Sequence, residues 1–223
     1  MKTSLLLLLG FAFPLLIHAQ SLLPNGDFEQ ADPANPAKPA HWDLPDGLGV
    51  QWTNAPDNSG HGKAIRMNTA ISEIDMNNQW VKVGITQWLF PHPKKNPIAE
   101  SYGLSLYSDP VPLKPGQAYK IGFDYMSEGK TKGKLWFRAY VDREGNLHRL
   151  YEGVIDCASR GTWSHFTGTF NPTQHCPTVT QFKVMLFCYF PPGVCWFDNV
   201  TVAEDDAKKE PTPPSASDKT PVP

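Results

Sequence analysis

The chain has 223 residues, 40% of them hydrophobic, and its 20 Lys and Arg against 22 Asp and Glu give a formal net charge of -2. Without a basic excess, the sequence gives no electrostatic reason to expect nucleic acid or an anionic membrane surface as a partner. The length is sufficient for one sizeable domain with its own hydrophobic core.

The first 19 residues have the pattern of a secretory signal peptide. Lys2 precedes an apolar run from Leu5 to Ile17, and the small residue Ala19 stands at the expected cleavage point. The run is shorter than the roughly 20 apolar residues that a membrane-spanning helix needs. We therefore expect an exported protein that is secreted or located in the periplasm or cell envelope.

A two-residue alternation of apolar and polar side chains predicts β-strands along most of the mature chain, with no convincing helical periodicity. The clearest strands are expected at residues 118–125, 134–141 and 181–188, and a turn at 142–146 leads into a returning strand at 147–155. Shorter strands are expected at residues 64–67, 79–88, 102–107, 162–170 and 195–202.

Strands that each present one apolar face must cover that face with a second sheet. The sequence therefore predicts an all-β, two-sheet β-sandwich over residues 20–203. From Glu204 to the end, the chain is rich in charge, Pro and Ser and has Val222 as its only large apolar residue. Such a segment does not bury enough surface to fold, so residues 204–223 are expected to be a disordered tail.

Four cysteines in an exported chain favour disulfides over a metal site, and three pairings are possible. Cys188 and Cys195 flank a Pro-Pro-Gly turn sequence between two apolar runs, which predicts a bridge near the end of a hairpin. The pairing we expect is therefore Cys188 with Cys195, and Cys157 with Cys176.

Several motifs occur in a recognisable order between about residues 22 and 203. They are Asn25-Gly26-Asp27-Phe28-Glu29, His41-Trp42, Leu113-Lys114-Pro115-Gly116 before Tyr119, the segment 163–170, and Trp196-Phe197-Asp198-Asn199-Val200. Together they resemble carbohydrate-binding modules of the galactose-binding-like jelly-roll superfamily, of the family 4, 9 and 22 type. The resemblance implies a jelly-roll β-sandwich that binds glycans.

The resemblance also implies a structural Ca²⁺ where the first and last motifs meet. By position, Glu29 and Asp198 are its candidate carboxylate ligands, and backbone carbonyls, for example from the loop at residues 57–63, would complete an oxygen-rich shell. The alternative is that both carboxylates only accept hydrogen bonds from nearby backbone amides.

Sugar binding needs flat apolar faces for stacking and planar polar groups that hydrogen-bond hydroxyls. The outward side chains of the strand at 134–141 offer both, in Trp136, Arg138 and Tyr140. Further polar contacts on the same face are expected from neighbouring strands, namely Asp124, Lys120, Gln181 and Lys183. The alternatives are that Trp136 and Tyr140 pack under a loop, or that the site uses the loop aromatics Trp52, Trp80 and Trp88.

The sequence lacks the residues of a recognisable catalytic site. Asp142 and Glu144 fall in a predicted turn, and no Gly-x-Ser-x-Gly or His-Glu-x-x-His motif is present. We therefore expect a non-catalytic module that binds an oligo- or polysaccharide. The alternative is a protein-interaction or cell-envelope structural module on the same fold, and a glycoside hydrolase is the third possibility.

Overall fold

The computed structural model describes residues 21–56 and 60–205. The predicted signal peptide and residues 206–223 of the predicted tail lie outside this range. The described chain forms ten strands, two α-helices and one 3-10 helix at Ile98–Glu100. The strands are β1 Val50–Asn54, β2 Lys63–Asn68, β3 Leu104–Tyr107, β4 Val111–Pro112, β5 Tyr119–Ser127, β6 Gly133–Arg143, β7 Asn146–Cys157, β8 Ser164–Phe170, β9 Gln181–Cys188 and β10 Val194–Glu204, and the helices are α1 Glu73–Lys82 and α2 Pro172–His175.

The strands form two antiparallel sheets, as the alternating pattern predicts. The first sheet has the order β1-β2-β10-β5-β8 and the second has the order β3-β9-β6-β7, with β4 also paired to β9. The predicted β-sandwich is therefore confirmed. The last strand continues to Glu204, one residue into the segment predicted to be the tail.

Aromatic side chains from both sheets meet in the core. Tyr119 of the first sheet lies 6.0 Å from Phe137 of the second, measured between ring centroids, and Phe137 lies 4.5 Å from Phe182. All three are fully buried. Such offset and tilted ring pairs stabilise the core beyond the area that they bury.

The first motif of the resemblance connects the N-terminal segment to β10. The Val200 N–H donates to the Gly26 carbonyl at 2.8 Å, and the Leu22 N–H donates to the Val202 carbonyl at 2.7 Å. The indole N–H of the buried Trp42 donates to the Asn25 carbonyl at 3.1 Å. These motif residues therefore have a structural role, because they attach the N-terminal segment to β10 of the first sheet.

The strand predicted at residues 79–88 is wrong. Residues 79–82 belong instead to the helix α1, which spans Glu73–Lys82. Ser72 caps the helix by accepting the Asp75 N–H at 3.1 Å, and Glu73 and Asp75 supply negative charge to its first turn. Both features stabilise a helix N-terminus. Met76 and Trp80, four residues apart on one face, are buried.

The disulfide prediction is confirmed for one bridge and wrong for the other. Cys188 and Cys195 are bonded, whereas Cys157 and Cys176 are free thiols. The short helix α2 docks beside the middle of β7, where Cys176 Sγ donates to the Leu150 carbonyl at 3.2 Å. Cys157 ends the same strand seven residues later, which is roughly 23 Å of extended chain and far beyond bonding distance.

Candidate binding cleft

A cleft of about 800 Å³ lies on the outer face of the second sheet. Its floor is made of outward side chains from four strands, namely Tyr107, Arg138, Arg149, Met185 and Phe187. The segment of residues 43–50 forms one wall, and Trp80, residues 85–89 and Tyr102 form the other. We call these the acidic wall and the aromatic wall. The volume is in the range of small-molecule and cofactor sites.

The aromatic wall presents two exposed rings to solvent. Trp88 is 53% exposed and Tyr102 is 71% exposed, although both are large apolar side chains. Behind them, Phe90 stacks on Trp80 with 6.0 Å between centroids, and Tyr102 tilts against Phe90 at 5.1 Å. Packed rings therefore support Tyr102 from behind, and both Tyr102 and Trp88 are open to solvent.

Helix α1 contributes Trp80 to the aromatic wall and is also hydrogen-bonded to Phe90, directly after that wall's segment 85–89, and to the acidic wall. The Asn77 side chain accepts the Phe90 N–H and donates to the Phe90 carbonyl, each at 2.9 Å. On the opposite side, the Gln79 amide donates to the Asp46 carbonyl. The helix thus connects the two walls, and its hydrogen bonds fix the distance between them before any ligand binds.

The acidic wall is ordered by the carboxylate of Asp46. Its Oδ1 accepts the backbone N–H groups of Leu48, Gly49 and Val50 at 2.8, 2.6 and 3.1 Å. Burial raises the pKa of Asp46, and these three amides oppose the rise. The carboxylate therefore stabilises the turn at residues 46–50 through these hydrogen bonds.

Arg138 is fixed at the floor between two aromatic rings. Its guanidinium carbon lies 5.2 Å from the Trp136 ring centroid and 5.8 Å from that of Tyr107, and Nη1 donates to the Tyr107 hydroxyl. Cation–π contact of this kind holds the planar group in one orientation. A single carboxylate, that of Glu152, lies 2.8 Å from Arg138 Nε and 2.9 Å from Arg149 Nη1.

Five of the six predicted ligand residues lie on the outer face of the second sheet. In the ladder of β6 and β9, Arg138 pairs with Lys183 and Tyr140 pairs with Gln181, while Trp136 pairs with Met185 of the floor. Arg138 lines the cleft, and the other four lie on the same face beside it. Trp136, Arg138 and Tyr140 are half-buried.

The placement of Asp124 and Lys120 on this face is wrong. Both belong to β5, which lies in the first sheet, so they point away from the cleft. The Asp124 carboxylate lies 2.7 Å from His165 Nδ1 and accepts the Asn199 side-chain N–H at 2.9 Å. The alternation along β5 is correct, but alternation carries no information on which strands share a sheet.

The loop aromatics predicted as an alternative site divide between two places. Trp80 and Trp88 belong to the aromatic wall, Trp80 buried and Trp88 exposed. Trp52 lies instead on β1 of the first sheet, where its indole N–H donates to the Phe28 carbonyl at 2.8 Å. Arg138 of the first predicted site and Trp80 and Trp88 of the alternative site therefore line the same cleft.

The predicted calcium ligands both face the segment from His61 to Lys63. Glu29 Oε1 accepts the Lys63 N–H at 2.6 Å, and a Cβ added to Gly62 would lie 2.2 Å from that oxygen, so glycine leaves room for the carboxylate. Asp198 is buried, 2.8 Å from His61 Nδ1, and burial raises its pKa to about 6. Within the described ranges, no three or more acidic, His or Cys side chains group around a metal position.

Sequence reasoning missed Tyr107, Arg149 and Tyr102, which line the cleft. Arg149 lies next to a bulge at Leu150 of β7, because Ala139 pairs with Tyr151 whereas Tyr140 pairs with Arg149. A bulge changes which residues of a strand share a face, and the plain alternation does not reveal it. Tyr102 belongs to the segment after α1, whose position depends on the missed helix.

The solved structures that this chain resembles include carbohydrate-binding modules. They include a family 4 module at 14% identity, covering 82% of this chain and 99% of the module, with a TM-score of 0.44. The TmCBM61 module in complex with beta-1,4-galactotriose is 14% identical, with 84% and 100% coverage and a TM-score of 0.45. The CBM22-1 xylan-binding domain of Paenibacillus barcinonensis Xyn10C is 9% identical, with 83% and 94% coverage and a TM-score of 0.45.

At these identities and scores, the likeness assigns no ligand to the cleft. No family model matches the chain, and no curated protein matches it. In the part of the chain that the structure describes, no helix has the length and apolar character needed to cross a bilayer.

Proposed function

We propose that this protein is an exported, non-catalytic carbohydrate-binding module whose ligand occupies the cleft. The observation that carries the proposal is the pairing of exposed rings with fixed polar groups around one cavity. Trp88 and Tyr102 offer ring faces, and Arg138 and Asp43 offer planar hydrogen-bonding groups along the same cavity. A sugar ring has an apolar C–H face and hydroxyl edges, which require this combination.

The carboxylates near the cleft support binding without hydrolysis. A glycoside hydrolase uses two carboxyl groups across the scissile bond, one as an acid and one as a base or nucleophile. Asp46 is occupied by three backbone amides, and Glu152 is paired with two arginines. Of the cleft-lining carboxylates that the structure describes, this leaves Asp43 without a carboxyl partner for catalysis.

Export is supported by the predicted signal peptide and by the Cys188–Cys195 bridge. Disulfides persist in oxidising compartments and are rare in the cytosol. An exported module of this type meets extracellular or envelope glycans. The free thiols of Cys157 and Cys176 are compatible with the same location, since neither lies near the other.

Replacing the exposed ring of Trp88 tests the proposal. A glycan array with the intact mature domain identifies a ligand, and isothermal titration then measures its affinity. Trp88→Ala removes a stacking face, and we expect affinity to fall about 10-fold, equivalent to about 1.4 kcal/mol. Phe190→Ala is the matched control, because Phe190 is 54% exposed and does not line the cleft.

The control variant is expected to bind like the wild type. Absence of binding to any glycan at millimolar concentration would contradict the proposal and favour the protein-interaction module on the same fold. Equal loss of affinity in both variants would place the ligand elsewhere.

We also propose a structural Ca²⁺ held by Glu29 and Asp198, with backbone carbonyls of residues 60–63; residues 57–59 of the predicted loop lie outside the described ranges. Carboxylate and carbonyl oxygens are the ligands that calcium prefers. The ion would connect the N-terminal segment to β10 and would share the buried Asp198 carboxylate with His61, whose Nδ1 lies 2.8 Å away. The support is the room that Gly62 leaves for Glu29 and the burial of Asp198.

Calcium should raise the melting temperature of the protein above its value in EDTA. An ion at 100 times its dissociation constant stabilises the folded state by about 2.7 kcal/mol. Scanning calorimetry in 1 mM CaCl2, 1 mM MgCl2 and EDTA measures the effect, and Glu29→Gln should reduce the difference. Identical melting in CaCl2 and EDTA would rule out the site.

A further inference from the structure

We propose that the ligand of the cleft carries a carboxylate, as a uronic acid residue does, and that Arg138 and Arg149 bind that group. The inference rests on the proposed carbohydrate binding and names the class of sugar. It comes from the local charges at the floor of the cleft, where cationic side chains outnumber their carboxylate partners.

Two guanidinium groups share one protein carboxylate at the floor. Glu152 Oε1 lies 2.8 Å from Arg138 Nε and 2.9 Å from Arg149 Nη1. The Arg138 Nε–H is buried and is close enough to Glu152 for an ion pair, yet it makes no well-aligned hydrogen bond to a described residue. Each guanidinium has five N–H donors, so Glu152 leaves most of them for other acceptors.

The cationic surplus is local to the two arginines, because Asp43 and Asp46 lie on the acidic wall and, among the described residues, neither forms an ion pair with Arg138 or Arg149. Lys183 lies on the neighbouring strand, with its ammonium nitrogen 5.5 Å from the Tyr107 ring centroid. Burial raises the pKa of the Asp43 carboxyl, the charge of Lys183 opposes the rise, and the charge of Asp109 adds to it. Asp46 belongs to the acidic wall, where backbone amides occupy its Oδ1.

Arg138 is also pre-organised for a planar anion. Its side chain is 13% exposed, and the rings of Trp136 and Tyr107 hold the guanidinium. Arg149 is 46% exposed, so it can adjust to the ligand. A guanidinium fork matches the two oxygens of a carboxylate, and a group that is already ordered loses little entropy on binding.

Matched pairs of oligosaccharides test the inference by isothermal titration with the intact mature domain. Each pair has a uronate oligomer, from galacturonate, mannuronate or glucuronate chains, and its carboxyl-reduced twin with the same linkage. We expect at least one uronate to bind 10-fold or more tightly than its neutral twin. Its affinity should fall between 50 and 500 mM NaCl because salt screens exposed charges, while the twin's affinity should not.

Two variants give opposite expected changes. Arg149→Gln should lower uronate affinity more than it lowers the affinity for the neutral twin, so the ratio of the two affinities should fall toward one. Glu152→Gln removes the carboxylate that competes for both arginines, so uronate affinity should rise several-fold. Arg160→Gln, which changes an exposed arginine that does not line the cleft, is the control and should behave like the wild type. Thermal melts confirm that each variant is folded.

The outcomes separate this inference from the proposed function. If neutral oligosaccharides bind as tightly as their uronate twins, the carboxylate inference is wrong and carbohydrate binding stands. If sulfated neutral oligosaccharides bind and uronates do not, the arginines select a sulfate and the inference is again wrong. If no sugar of any kind binds, the proposed function itself fails.

Discussion

Phe137→Ala is expected to lower the free energy of unfolding by about 3–5 kcal/mol, the usual cost of truncating a buried Phe. Phe137 is fully buried and contacts rings from both sheets, including Phe182 at 4.5 Å and Phe170 at 5.5 Å between centroids. The substitution leaves a cavity at the centre of the sandwich, where surrounding strands restrict collapse. Urea unfolding measures the loss, and for a domain of this size the melting temperature falls by roughly 2–4 °C per kcal/mol.

Phe190→Ala is the matched control for Phe137→Ala. It removes the same side chain from a position that is 54% exposed, and we expect a change within about 0.5 kcal/mol, as is usual for surface positions. If the two variants were equally stable, the core would not lie where the aromatic contacts place it.

Gly26→Ala is expected to destabilise the protein by roughly 3 kcal/mol or more, although it adds only one methyl group. A Cβ on Gly26 would lie 1.8 Å from the Val200 carbonyl oxygen. Backbone atoms cannot rotate away as a side chain can, so the N-terminal segment would have to separate from β10. The hydrogen bond from the Val200 N–H to the Gly26 carbonyl would be lost with that movement.

The control for Gly26→Ala is Gly129→Ala, because no atom lies within 4 Å of a Cβ added there. Its stability should stay close to that of the wild type when both are measured by urea unfolding. A Gly26→Ala protein with unchanged stability would contradict the close crossing of the N-terminal segment and β10. Such a result would also remove the structural reason for glycine in the first motif.

Side-chain alternation was sufficient to predict the inner faces of the main strands. Along β5, the residues Tyr119, Ile121, Phe123 and Tyr125 are all buried, as their spacing indicates. The same holds for Phe137 in β6 and Val184 in β9. These positions follow from the geometry of one strand alone, because successive side chains point to opposite faces.

The same alternation does not predict which strands are neighbours in a sheet. The wrong placement of Asp124 is an example. Its position on the polar side of β5 is correct, but β5 pairs with β8 and β10 in the first sheet. The assignment of strands to sheets depends on contacts between residues far apart in sequence. Arg138, Gln181 and Lys183 were placed together correctly because β6 and β9 are neighbours.

The largest omission from the sequence interpretation is the helix α1. Its apolar residues are few, and burial involves mainly Met76 and Trp80, so the periodicity is weak. The better signal is local, since Ser72 precedes Asp75 by three residues and caps the helix N-terminus. Without the helix, the aromatic wall and the role of Tyr102 in it could not be inferred.

The bonds from α1 to both walls have a consequence for selectivity. Asn77 is bonded to Phe90 on one side and Gln79 to Asp46 on the other, so opening the cleft requires breaking hydrogen bonds at a helix of ten residues. A cleft that does not widen excludes bulky branches by size rather than by weaker attraction. For the glycan ligand proposed above, the fixed separation of the walls would then select by size, independently of the charges of Arg138 and Arg149.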